Sequence, residues 1–178
     1  IKRMFSPIEI PENPAERTYF PVPDNDEPLI AVAKDKEQNI PIIYLFHKHE
    51  AVKPEEKGNM DYMVYSYLTS MIESMLNTRL EELTQKADAP FIQAFAGDGD
   101  YLLSKTKGAF MGIAAAKEDG ILTATEALMR EIERVRQFGF TASEYARAKA
   151  DYLRSLEVAY NERDKQRTNS YVKEYVRH

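Results

Sequence analysis

The sequence predicts an α+β domain, a two-layer sandwich in which helices pack on one face of a mostly antiparallel sheet. Two observations carry this. Short runs rich in β-branched and aromatic residues flank one long segment of helical periodicity, and the last of these runs is followed by several helices with no strand between them. That order sets helices on one side of a sheet rather than alternating them around a parallel one. With 178 residues, 43% apolar and 30% charged, the chain has the balance of one globular domain with a packed core.

The elements follow in order. Pro7, Pro11, Pro14, Pro21, Pro23 and Pro28 forbid a helix in the lead-in and suit an extended connector with edge strands. Residues 1–17 are read as connector and 18–178 as the domain. Two strands are expected at 29–34, bounded by Asp35, and at 42–49, bounded by Pro41 and Pro54. Pro54 then opens a long helix to about Lys86, whose stripe of Val64, Leu68, Met71, Ile72, Met75, Leu80 and Leu83 needs an apolar surface to lie on. Met60, Met63, Met71 and Met75 are read as gap-filling core rather than a peptide groove.

Pro90 ends that helix, and 91–96, 101–106 and 109–116 read as strands. Gly97-Asp98-Gly99-Asp100 or Gly108 supplies the hairpin turn. Capping boxes then announce two helices, Thr123 with Glu126 and Thr141 with Glu144. The first carries Leu128, Ile132 and Val135 and stops at Gly139, and the second carries Leu153, Leu156 and Tyr160. A further helix is expected from about Asp164, with Tyr171, Val172, Tyr175 and Val176 at helical spacing. A start at Ile1 and an end inside that helix read as an excerpt from a longer protein.

The net charge of −5, without a Lys/Arg-rich block, argues against nucleic acid and favours basic or unfolded peptide partners. With no cysteines, disulfides, thiolate metal sites and cysteine nucleophiles are excluded. No apolar run approaches the roughly 20 residues of a membrane span. Nucleotide-binding glycine loops and the G-x-S-x-G elbow are missing as well.

One cluster invites a metal. His47-Lys48-His49-Glu50-Ala51 begins like the inverted zinc motif H-x-x-E-H, but Ala51 stands where the second His is required. That motif also needs a helix, whereas the flanking prolines argue for a strand. On a strand, His47 and His49 share a face and form at most a weak metal pair that wants a third ligand; the only other histidine is His178, a carboxylate could serve instead, and both are read as ordinary strand histidines. Gly97-Asp98-Gly99-Asp100 fails as a calcium loop, because Ala109 holds the twelfth position counted from Asp98, where a bidentate Glu belongs. The alternating charges from Glu157 to Arg177 are read as a solvated helix surface.

Two segments carry a resemblance: Met75-Leu76-Asn77-Thr78-Arg79-Leu80-Glu81-Glu82-Leu83, and Arg134-Val135-Arg136-Gln137-Phe138-Gly139-Phe140-Thr141-Ala142-Ser143-Glu144-Tyr145-Ala146-Arg147-Ala148-Lys149. They resemble the insulinase/pitrilysin-like zinc metallopeptidases, whose repeated domains carry a long helix with an M-L-x-x-R-L-like end, a hairpin, and a helix pair with a G-F-T-x-x-E-x-x-R-A-K-like turn. The resemblance spans roughly 18–178. It implies the second, non-catalytic domain of such an enzyme, a wall of a chamber that encloses an unfolded peptide. Zinc would sit in the parent enzyme outside this chain, and the partners would be sibling domains of the same longer chain and the peptide substrate. It also implies a periplasmic or cell-envelope location. Arg79 matches a substrate-contacting Arg of some family domains, but the Tyr expected several residues later does not occur before Tyr101. The alternative is a structural or partner subunit of a catalytically inactive relative, which an upstream H-x-x-E-H would exclude.

Overall fold

The computed structural model describes residues 2–9, 12–13, 15–16, 18–165, 167–169 and 171–172. After a four-residue helical turn, α1 (Lys2–Phe5), come β1 (Ile42–Glu50), α2 (Met60–Thr84), β2 (Gln93–Asp100), β3 (Lys107–Ala115), α3 (Ile121–Phe138) and α4 (Ala142–Asn161). The strands form one antiparallel sheet in the order β1-β3-β2. Helices α2 and α3 cover one face of it. The two-layer α+β architecture is therefore the one the sequence predicts.

The register shows why the layers form. Leu45, Gly112 and Ala96 lie side by side, as do Ile43, Ala114 and Ala94, so the sheet turns small residues toward the helices along β2 and β3. There Leu76 and Leu80 of α2, Ala124 and Leu128 of α3, and Phe91 bury completely. A smaller cluster, Met71, Met75 and Ala148 with Tyr67 and Tyr152, joins α2 to α4. Tyr67 and Tyr145 add a hydroxyl–hydroxyl hydrogen bond of 3.0 Å.

Several expected elements differ. Residues 29–34 form no strand and stand bare to solvent. The lead-in is not extended throughout, since α1 is helical. Pro54 opens only a 3₁₀ turn, Pro54–Glu56, and the long helix starts after Asn59, whose side chain accepts from the Tyr62 amide at 2.8 Å. The stripe on α2 splits: Met71, Met75 and Leu80 are buried, whereas Val64, Leu68 and Ile72 are exposed, because they follow one another every four residues along a flank the sheet does not reach. On α4, Leu153, Leu156 and Tyr160 face solvent, and the contact with α2 runs through Ala148 and Tyr152.

The expected strand at 101–106 is the hairpin loop. Ser104 Oγ accepts from the amides of Thr106 and Lys107, both at 3.1 Å, and Tyr101 N donates to Lys107 O at 2.9 Å. Gly97-Asp98-Gly99-Asp100 is strand, not turn. Thr123 is no N-cap: α3 starts at Ile121 after Gly120, and the buried Ala124 and Leu128 fix its phase. The Thr141–Glu144 capping box is present, and Gly139 ends α3 with φ 65°, a conformation other residues adopt at a cost. Beyond Asn161 a 3₁₀ turn, Arg163–Lys165, is followed by short helical stretches, while Tyr175 and Val176 of the expected last helix lie outside the described residues.

Candidate functional site

His47 and His49 share one face of β1, as expected, and it is the face turned toward the helices. The His49 ring lies over Gly108 of β3, where any Cβ would collide with it, and reaches across to Asp98 on β2. His49 Nε2 meets Asp98 Oδ1 at 2.8 Å, while Nδ1 lies 2.9 Å from the Glu50 carbonyl oxygen. Tyr65 Oη of α2 donates to the other Asp98 oxygen at 3.1 Å, and Glu73 accepts from the Asp98 amide at 2.6 Å.

Both partners of the His49 ring are acceptors, so the doubly protonated imidazolium satisfies them best. Burial pulls the pKa of His49 down, but the Glu50 carbonyl and the Asp98 carboxylate outweigh it, and the net value lies above the ordinary 6.5. Burial and the Asp98 charge push Tyr65 above its ordinary value in turn. A zinc ligand must offer a free lone pair, and here both ring nitrogens of His49 are already committed. His47 is exposed on the same side of the strand, and among the described residues no group of three His, Cys, Asp or Glu side chains is brought together for a metal. These residues do not fit zinc. The one other histidine of the sequence, His178, lies outside the described residues.

Arg79 is largely buried in a knot of ion pairs and hydrogen bonds. Its side chain is 10% exposed, and Nε and Nη2 donate to Glu144 at 2.5 and 3.0 Å. Nη2 also donates to Gly139 O at 3.1 Å, and Nη1 to Glu131 at 3.3 Å. The guanidinium stacks over Phe140 at 4.8 Å. The Arg79 hydrogen bond holds the Glu144 carboxyl down at about 2, well below its ordinary 4.5, with the Thr141 bonds adding to it. Arg79 thus ties the end of α2 to the α3–α4 turn, and each of the two segments that carry the resemblance supplies half of this knot.

The opposite face of the sheet carries an apolar patch that belongs to no motif. Tyr44, Ile113 and Phe95 form one row and Phe46, Met111 and Gly97 the next, with Ile42 beside Ala115. Ile42, Tyr44, Phe46 and Phe95 are exposed there. Tyr44 and Phe46 stack at 6.1 Å, and Tyr101 meets Phe46 edge-on at 5.3 Å. The signal in the sequence was the run Ile42–Phe46, apolar at every position rather than at alternate ones, which marks a strand with apolar residues on both faces. At one end the lead-in covers this face: Lys107, 4% exposed, pairs with Asp24 at 2.9 Å and Glu50 at 2.5 Å.

No protein-family model matches the chain, and no curated protein matches it. Among solved structures, the periplasmic protease PqqL from Escherichia coli superposes with a TM-score of 0.68 at 21% identity, over 80% of this chain and 15% of that chain. The chain shares its fold with part of a protease. A structure of the first half of PqqL agrees, with a TM-score of 0.64 at 22% identity over 75% of this chain and 28% of that one. The chain thus spans a small fraction of the protease it matches, and identity at this level speaks for the fold alone. No described helix is long and apolar enough to cross a membrane.

Proposed function

We propose that this chain is a non-catalytic chamber-wall and substrate-contact domain of a zinc metalloendopeptidase that hydrolyses unfolded peptides, with the zinc held by sequence outside it. The observation that carries the reading is the fold likeness to a periplasmic protease, covering 80% of this chain but 15% of that one. It is supported by the sheet face bearing Tyr44, Phe46 and Phe95, since an exposed apolar patch of this kind suits contact with a peptide or a neighbouring domain. A periplasmic or cell-envelope location, with sibling domains as partners, belongs to the same proposal. The domain would act by binding and orienting the peptide, which affects the chemical step without touching the metal.

The test deletes 18–178 from a parent that carries H-x-x-E-H and measures zinc content and turnover of long peptides on one preparation. The expected result is retained zinc with strongly reduced turnover. Retention of both zinc and full activity overturns the reading. A parent without H-x-x-E-H would make this chain a domain of an inactive partner subunit instead.

A further inference from the structure

The lead-in meets the outer sheet face at its hairpin-loop end, and the bonds there recognise backbone and one charge rather than a set of side chains. Thr106 Oγ1 donates to Phe20 O at 2.9 Å, Lys48 Nζ donates to Pro23 O at 2.6 Å, and Lys107 Nζ pairs with Asp24 at 2.9 Å. Pro21 and Pro23 favour an extended chain of three residues per turn, in which the carbonyls at i and i+3 turn to the same side. Phe20 and Pro23 have that spacing, and the carboxylate follows one residue later.

The two sides of this contact differ. On the lead-in, Phe20 is 80% exposed, Pro21, Pro23 and Asp24 are exposed as well, and Val22 alone among 20–24 is half-buried. The segment thus has no deep apolar anchor of the kind that fixes a strand to a core. On the sheet, Lys107 is buried, and so is Ala109, which lies in the row of Lys48 and Gly99. Glu50 holds Lys107 Nζ from a second side at 2.5 Å, so the ammonium has an orienting partner besides Asp24. Tyr101 continues the site into the aromatic row: its ring lies 5.9 Å from Lys48 Nζ and meets Phe46 edge-on. The donors are built into the fold, whereas the occupant is held by a few exposed polar bonds.

We infer that Thr106, Lys48 and Lys107 form a binding site for an extended polypeptide segment with a carboxylate one residue past an accepting carbonyl, and that residues 20–24 fill this site in cis as a displaceable strap. The partner is an extended acidic stretch of another chain. The net charge of −5 favours basic partners, but at this end of the sheet the donors are cationic and select a carboxylate. A tethered occupant acts at a millimolar effective concentration, so a partner in trans competes only weakly until the strap is out. The inference is independent of the peptidase reading, since binding and not cleavage defines the site.

NMR on the isotope-labelled 178-residue chain, at a concentration where light scattering shows a monomer, tests it with a synthetic peptide of residues 18–26 as probe. Asp24→Lys combined with Val22→Gly sets a like charge against Lys107 and removes the half-buried contact. In the free variant the Thr106 and Lys107 signals should shift as the strap leaves. The peptide should then bind the variant saturably, moving the Lys48, Tyr101, Thr106 and Lys107 signals back toward their native positions. It should bind the native chain at least about tenfold more weakly, because the strap competes. The same peptide with Asp24→Asn should bind the variant roughly threefold more weakly or worse. Unchanged Thr106 and Lys107 signals in the variant overturn the inference, since the segment is then a fixed part of the fold. A released strap without saturable peptide binding overturns it too, as does equal binding by the native chain and the variant, or indifference to the Asn change.

Discussion

Along the β2 edge of the sheet, side chains of α2 reach the outward backbone of the strand, whereas the free edge of the longer and more apolar β1 meets no such partner among the described residues. Asn77 donates to Ala96 O at 2.7 Å and accepts from Ala96 N at 2.8 Å, and Glu73 accepts from Asp98 N at 2.6 Å. At Ala96 and the Asp98 amide a helix supplies the partners a neighbouring strand would. The difference shows up in the sequence in reverse. Gly97-Asp98-Gly99-Asp100, turn-like in composition, is strand, while the β-rich 29–34 is not. What decides is whether backbone partners are delivered, and propensity worth less than about 1 kcal/mol per residue yields to them.

The largest way to break the comparison is to release the helix that seals β2. Arg79→Met leaves Glu131 and Glu144 without their shared cation, and should cost about 3–5 kcal/mol in urea unfolding. A cost below about 1 kcal/mol would mean that the ion knot does not hold α2 in place.

Next in size is the seal itself. Asn77→Ala orphans Ala96 N and O at once and should cost roughly 1–3 kcal/mol, while Tyr44→Thr on the exposed face by the open edge should stay within about 0.5 kcal/mol. Equal effects of the two would erase the distinction between the edges.

Acid should loosen the sealed side. Glu144 is held at about 2 against an ordinary 4.5, so its contribution is complete above about 4.5 and is lost as the pH falls through about 2. Denaturant midpoints measured across that window should fall for the native chain and fall less for Glu144→Gln.

The smallest effect sharpens a tie that spans both edge strands, from His49 on β1 over Gly108 to Asp98 on β2. A raised pKa makes its contribution complete below about 6.5 and lost as the pH rises through the higher folded value. His49→Gln should flatten stability above neutral pH, and an NMR titration of the His49 ring should show a midpoint above 6.5. A midpoint at or below it would remove this tie from the fold.

Much of the layered plan was legible in the residues. Ile42 to Phe46 announced β1 by its run of β-branched and aromatic residues, while the Thr141–Glu144 box placed the start of α4 and Gly139 the end of α3, because caps depend on bonds within a few residues. The candidate site was legible only in part: strand periodicity put His47 and His49 on one face, but nothing local told that Asp98, itself held by Tyr65, would occupy His49.

By itself, then, the sequence determined the fold class, the order of its long elements and the local caps, since helical and strand periodicity and capping act over neighbours in the chain. Tertiary structure alone decided which side of α2 was buried, that Gly97–Asp100 pairs as strand, that Arg79 joins Glu131 and Glu144 across 52 and 65 residues, and which sheet edge is sealed. Those outcomes depend on a donor meeting an acceptor from a distant part of the chain, and a buried polar group that finds its partner outweighs the local preference that would have sent the backbone elsewhere.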